Sequence, residues 1–361
     1  GGGNAPIHRM CPLLWFWIKP VLNALRFEDL GITIMAKFLK RITLLIAIPF
    51  FIWTGYWTAF AYAIERSISV ASKNSQISGN AAQFEVASVT GYPQSFSIGI
   101  TEIEIGTKDS FTWATQEVLV EAKSYQPNRI NLDLSDPHSI SGSIGSLEID
   151  AELADLSVFF KPNLQLSLGN LEALFKNLSL SFDGLPGAEI ETMSARVDAS
   201  PNTEKNYQLT AQIENLDLSN ILVGLGSDYQ TFQNISLSAE VELSQPLDRL
   251  AIGSGSPQVQ TLLLREALIN YGETSVLLDA KLVLNKLGTL NGNMNFTVQN
   301  WKTLFGLAKN LGYVEPDLEE FFYSILINLA SQDGSEDTLT IPLAITNNTV
   351  SYGALTLGVL P

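Results

Sequence analysis

The most regular feature of the chain is an alternation of apolar and polar residues with a period of two. Ile235, Leu237, Ala239, Val241 and Leu243 are separated only by Ser and Glu. Tyr207–Leu209–Ala211–Ile213, Val276–Leu278–Ala280–Leu282–Leu284, Met294–Phe296–Val298 and Leu339–Ile341–Leu343–Ile345 repeat the pattern. Upstream, Phe96, Ile98 and Ile100 alternate before the phase slips to Ile103 and Ile105, which predicts a bulge. Ile130–Leu132–Leu134, Leu147–Ile149–Ala151–Leu153, Leu156–Val158–Phe160, Leu164–Leu166–Leu168 and Leu178–Leu180–Phe182 fill the stretch between. Successive side chains of a strand point to opposite faces, so each segment predicts a strand with one apolar and one polar face. That is the signature of an antiparallel sheet buried on one side. Turn-forming runs such as Gly184–Gly187, Pro201–Lys205, Gly253–Pro257, Asp333–Asp337 and Asn347–Asn348 separate the strands, and sequential meander pairing is the simplest topology.

Helical spacing is rarer. Trp301, Leu304, Phe305, Ala308 and Leu311 form one stripe. Pro316 and Asp317 open a second helix that carries Leu318, Phe321, Phe322, Ile325, Leu326 and Leu329 on one side. Shorter helical turns are expected at Leu171–Lys176 and Leu218–Leu225. The segments from Asn215 and from Asn300 both read strand, Asn, short helix, a loose internal likeness.

One stretch is apolar without alternation. Ile42–Ile64 holds no charged side chain over 23 positions, roughly 34 Å as a helix at about 1.5 Å per residue, enough for a bilayer core. Lys37, Lys40 and Arg41 precede it, and the positive-inside rule then places the N-terminus in the cytoplasm and the bulk of the chain outside, in the periplasm of a Gram-negative envelope. Trp53, Tyr56, Trp57 and Tyr62 fall in the outer half as an aromatic belt. The run exceeds the apolar stretch of a cleaved signal, so a retained anchor is expected. The division is then residues 1–34 as a non-native or disordered leader, 35–66 as basic flank and transmembrane helix, and 67–361 as a periplasmic β-rich domain. Met35, before Lys37 and the apolar run, reads as the natural start. Ser67–Ser75 is expected to continue the helix outward.

Composition narrows the partners. The chain of 361 residues is 46% hydrophobic and 16% charged, with a net charge of -16. Residues 65–361 carry 15 basic and 35 acidic groups, a net of -20, which repels phosphate backbones and excludes nucleic acid. The single cysteine, Cys11, precedes the span, so the large domain can fold in an oxidising compartment without mispairing.

Chemistry is sparse. His8 lies in the leader, and His138 sits in the turn-like Ser135-Asp136-Pro137-His138. No phosphate-binding loop or nucleophile elbow occurs, so no cofactor, metal or catalytic residue is assigned. Paired acids at Glu102 and Glu104, Glu240 and Glu242, and Glu319 and Glu320 allow a carboxylate-based hydrolase as a minor alternative. Otherwise a long sheet with one apolar face must cover that face. Ile235, Leu237, Val241, Leu278, Leu282 and Phe296 are the candidate lining of an apolar groove.

Several stretches resemble the bacterial domain of unknown function 2125. They are Val89-Thr90-Gly91-Tyr92-Pro93 leading to Phe96-Ser97-Ile98, Ala122 to Tyr125 with Pro127-Asn128 and Leu132–His138, and Leu287–Gly292 leading to Val298–Trp301. The most specific is Leu339-Thr340-Ile341-Pro342-Leu343 to Tyr352–Gly358. The likeness covers about 50 to 361. Members often carry a Cys after the anchor, and Asn80–Val89 has none. The resemblance implies a membrane-anchored periplasmic protein with no assigned activity, similar in layout to the larger AsmA-like group. The expected fold is mainly β with a few helices (α+β): a transmembrane helix, then an elongated, curved antiparallel meander with C-terminal covering helices. The expected roles are lipid or apolar-ligand binding in envelope maintenance or, alternatively, scaffolding of other envelope proteins. The inner membrane is the expected constant partner.

Overall fold

The computed structural model describes residues 33–77, 80–86, 88–107, 111–222, 230–251, 257–285, 288–332 and 334–360. The leader apart from its last two residues, with His8 and Cys11, and most of Gly253–Pro257 lie outside the described residues. Contacts divide the chain into two units, Gly1–Ala63 and Ile64–Pro361.

Helix α1 (Thr33–Ile77) contains Pro49. Within it Thr43–Ile68 is long and apolar enough to cross a membrane. Two hydroxyls in this stretch are turned back on the helix. Thr54 Oγ1 donates to Phe50 O at 2.8 Å and Thr58 Oγ1 to Thr54 O at 2.8 Å. Such i−4 bonding leaves neither hydroxyl proton unsatisfied in hydrocarbon. The helix runs through Ser67–Ser75, as the sequence leads one to expect.

The second unit is one sheet. Its strands are β1 (Asn80–Val86), β2 (Ser95–Thr107), β3 (Phe111–Lys123), β4 (Gln126–Asp133), β5 (His138–Gly142), β6 (Gly145–Phe160), β7 (Leu168–Phe182) and β8 (Leu185–Ala199). β9 (Asn206–Asp217), β10 (Thr231–Leu243), β11 (Val259–Tyr271), β12 (Thr274–Leu284), β13 (Leu290–Gln299), β14 (Thr338–Thr346), β15 (Thr349–Tyr352) and β16 (Leu355–Val359) follow. Each strand pairs antiparallel with its sequence neighbour, so the meander is confirmed. The departure is at β4 and β5, which share one place between β3 and β6 and are separated by Leu134–Pro137. The Gly91-Tyr92-Pro93 turn contains a cis Tyr92–Pro93 peptide, and Ser124 Oγ donates to Pro93 O at 2.7 Å.

The apolar phase slips by one residue at the same level in four neighbouring strands. It passes from Ala151 to Ala154, from Leu178 to Phe175, from Ile190 to Met193 and from Leu216 to Ile213, and all eight belong to one apolar cluster. At the slip stand Glu152, Asn177, Glu191 and Asn215. Asn177 and Asn215 have φ of 48° and 52°, a left-handed conformation that Asn tolerates. Their amides donate to the Glu152 and Glu191 carboxylates. Because the slip is shared, the apolar face stays continuous.

Two helices lie after β13: α2 (Trp301–Asn310) and, behind the 3-10 turn Pro316–Leu318, α3 (Glu319–Gln332). Asn300 at φ 54° turns the chain off the sheet, and its N–H donates to Asp337 O at 2.8 Å. Trp301, Leu304, Phe305, Leu326, Leu329 and Ala330 then pack on Val276, Phe296, Val298, Leu339 and Ile341.

Two local expectations are corrected. Leu171–Lys176 is not a helical turn but the middle of β7, where Leu171, Ala173 and Phe175 share a face and Leu174 on the other face mimics helical spacing. Leu164 and Leu166 are in a loop closed by Lys161 N–H to Ser167 O at 2.8 Å, and Leu164 is exposed. Of the turn expected at Leu218–Leu225, Leu218–Leu222 is a bonded turn in which Leu222 N–H donates to Leu218 O at 2.8 Å, and the rest lies outside the described residues.

Candidate functional site

Register decides what the apolar face offers. Ile98, Val120, Leu132, Leu156, Ala173, Ala195, Ala211, Leu237, Ala267, Leu278, Phe296 and Ile341 are paired neighbour to neighbour across β2 to β14. Every member is apolar. The row on one side runs from Ala154 through Phe175, Met193, Ile213, Ile235, Ile269, Val276 and Val298 to Leu339. On the other side Val158, Leu171, Val197, Leu209, Ala239, Leu264, Ala280, Met294 and Leu343 form a third row. Val241 and Leu282 stand in a fourth, joined through Leu262. The six residues expected to line a groove therefore share one face: Ile235 in the second row, Leu237, Leu278 and Phe296 in the first, Val241 and Leu282 in the fourth.

The middle of the first row is a run of alanines. Ala173, Ala195 and Ala211 sit on three adjacent strands between Leu156 and Leu237, four strand steps or about 19 Å in all. Phe175, Met193 and Ile213 flank the run on one side and Leu171, Val197 and Leu209 on the other. Small residues between bulky rows make a trough that crosses the strands. Ala173, Ala195 and Ala267 were not singled out in the sequence, because an isolated Ala carries no signal until pairing puts it beside others.

Among the described residues two covers lie over the face, and Ala151, Ala154, Leu178 and Ile190 are buried besides. Helices α2 and α3 cover its β12–β14 part, and Trp301 is 2% exposed there. The connection after β10 returns over the end of β7–β10, where Leu168 N–H donates to Leu247 O at 2.7 Å. Leu247 packs on the buried cluster of Leu168, Tyr207 and Leu243, as do Val158, Leu171, Val197 and Leu209. The Tyr207 hydroxyl donates to Glu204 O at 2.9 Å and accepts from Leu247 N–H at 2.8 Å. Burial raises the Tyr207 pKa above its ordinary value. Between the two covers Leu237 remains 36% exposed.

The opposite face is polar and acidic. A cavity of about 620 Å³ is lined by Asp155, Glu172, Ser194, Arg196 and Gln212 together with Ala173, Ala195, Ala211 and Leu237. There Arg196 bridges Glu172 at 2.7 Å and Asp198 at 2.5 Å, contacts that raise its pKa, with Asp198 the larger cause. A second cavity of about 830 Å³ gathers Glu102, Glu104, Glu148 and Asp150 beside His138. His138 is not in a turn but opens β5, and its Nε2 lies 2.8 Å from Leu134 O. Glu240 is ion-paired with Arg265 at 2.5 Å, and Glu242 accepts from Thr261 Oγ1 at 3.2 Å. Glu319 pairs with Lys309 at 2.6 Å. Among the described residues no three His, Cys, Asp or Glu side chains converge as metal ligands.

Lys37, Lys40 and Arg41 precede Thr43 on α1, and Trp53, Tyr56, Trp57 and Tyr62 lie within Thr43–Ile68. Trp53 and Tyr56 rings are 5.6 Å apart.

The family model described as "Uncharacterized protein conserved in bacteria (DUF2125)" matches residues 57–361. No curated protein and no solved structure matches the chain.

Proposed function

We propose, given that the chain belongs to the DUF2125 family of proteins conserved in bacteria, that it is a single-pass anchored protein whose sheet holds an apolar chain of a lipid. The observation that carries this reading is the trough over Ala173, Ala195 and Ala211, bounded by Leu156 and Leu237 and left open between the two covers. Apolar surface in water is costly, by about 25 cal/mol per Å², and an acyl chain removes it from water without asking for hydrogen bonds. The face presents apolar side chains alone, so it selects for hydrocarbon and not for a headgroup. No catalytic step is part of this reading. Lys37, Lys40 and Arg41 before the span orient the N-terminus to the cytoplasm and the sheet to the periplasm by the positive-inside rule. Envelope maintenance and the AsmA-like layout belong to the same proposal.

The test is native mass spectrometry with lipid extraction on residues 67–361 secreted to a bacterial periplasm. One phospholipid per chain, lost in Ala211→Phe, is the expected result. A lipid-free mass for the unsubstituted protein would remove the reading. It would favour the scaffold instead, for which β16 is the specific observation: Leu355, Leu357 and Val359 are exposed on an edge strand, a template for strand addition.

A further inference from the structure

We propose that the outer side of the α2–α3 helical pair is a bilayer-contacting surface that enters the headgroup–acyl boundary of a zwitterionic phospholipid membrane. Helix α3 carries apolar residues beyond its sheet-facing side, beside a polar stripe of Glu320, Ser324, Asn328 and Ser331. Its inward residues are already used. Ala330 is 0% exposed, Leu326 and Leu329 pack on the sheet cluster, and the Tyr323 ring lies 5.5 Å from Trp301 and 5.6 Å from Phe305. Outside remain Phe321, 58% exposed, Phe322, 41% exposed, Ile325 and Leu318. Tyr313, 82% exposed, and Leu311 extend the patch along the connection from α2.

Two facts choose the occupant. The chain carries its own candidate span, Thr43–Ile68, so a bilayer is a partner the molecule brings with it. Mixed Phe and Tyr side chains with one wet edge suit the interface of such a bilayer. The charges around the patch decide between membrane types and against a second copy. Asp317 just before α3 and Glu319 and Glu320 at its start are acidic, and among the described residues Glu319 alone of the three is ion-paired, with Lys309. A second copy would set these acids against their equivalents, and anionic headgroups would repel them, whereas zwitterionic headgroups do neither. The surface is separate from the alanine trough and does not depend on it.

The experiment uses the full chain with Cys11→Ser, an environment-sensitive dye on Phe322→Cys, and phosphatidylcholine vesicles whose acyl chains carry nitroxides. Gln208→Cys on the polar face is the reference site, and Phe321→Cys is a second reporter should Phe322→Cys fold poorly. The expected result is quenching at 322 or 321 at least threefold stronger than at 208, weakened when a fifth of the lipid is anionic. Quenching no stronger than at 208 would overturn the proposal. So would quenching that survives dispersal of the vesicles in excess detergent, since that reports a lipid held by the protein and not a bilayer. Loss of lipid from the trough in Ala211→Phe leaves the expected quenching unchanged, which separates this surface from the site of the proposed function.

Discussion

Tyr207 holds the connection after β10 to the sheet through two hydrogen bonds from one hydroxyl. Tyr207→Phe keeps the ring in the cluster with Leu168 and Leu243 but strands the Leu247 N–H. A loss of about 1–2 kcal/mol in a denaturant titration is expected. The hydroxyl pKa is raised by burial, so the folded state keeps its proton after the unfolded chain has lost it. Its stabilisation is therefore complete below about pH 10, the ordinary tyrosine value, and is lost as pH rises through the folded value. Comparing melting temperatures at pH 8 and pH 11 should show a larger drop for the wild-type chain than for Tyr207→Phe; equal drops would contradict this. At the same scale, Ala211→Phe should fill the trough and change stability by no more than about 1 kcal/mol, because the site is open. Individual residues were legible where they alternated: Ile235, Leu237, Val241, Leu278, Leu282 and Phe296 were all assigned to the apolar face. Ala173, Ala195 and Ala267 were not, since their meaning depends on neighbours in other strands.

Among the elements, strands with clear alternation were read, β2 and β6 across their phase slips included, and those whose period is hidden or too short were missed. In β11 the pairing skips from Leu264 to Ala267, and the Leu262-Leu263-Leu264 run hides the period. In β8 the shared slip between Ile190 and Met193 does the same, and β5 is too short to show a pattern. Helix spacing was clear in α2 and α3, whereas Leu171–Lys176 was misread because Leu174 faces away from Leu171. Two substitutions probe how elements are joined. Gly292 lies in β13 at φ 153°, and a Cβ there would sit 2.0 Å from Lys281 O of β12. Gly292→Ala should cost about 2 kcal/mol or more and loosen β12–β13, read as faster amide exchange in both strands. Trp301 docks α2 through its ring and through Nε1 donation to Glu336 O at 3.1 Å. Trp301→Ala should cost about 3–5 kcal/mol, with exchange protection lost first in α2 and α3. Unchanged protection in those helices would contradict the packing described.

At the scale of the whole molecule, membership of DUF2125, the meander and a helix fit to span a membrane are established, and each was legible from long-range pattern. The ligand was not legible, because an apolar face looks the same in sequence whether it is filled by the chain, a partner or a lipid. The measurement that decides most directly places a photo-activatable benzophenone at Leu237 or at Ser238 in the full chain in bacterial membranes. These neighbours point to opposite faces of β10. Phospholipid adducts at position 237 and none at 238 are predicted. No lipid adduct at 237, or equal yields at both positions, would contradict a lipid held on the apolar face.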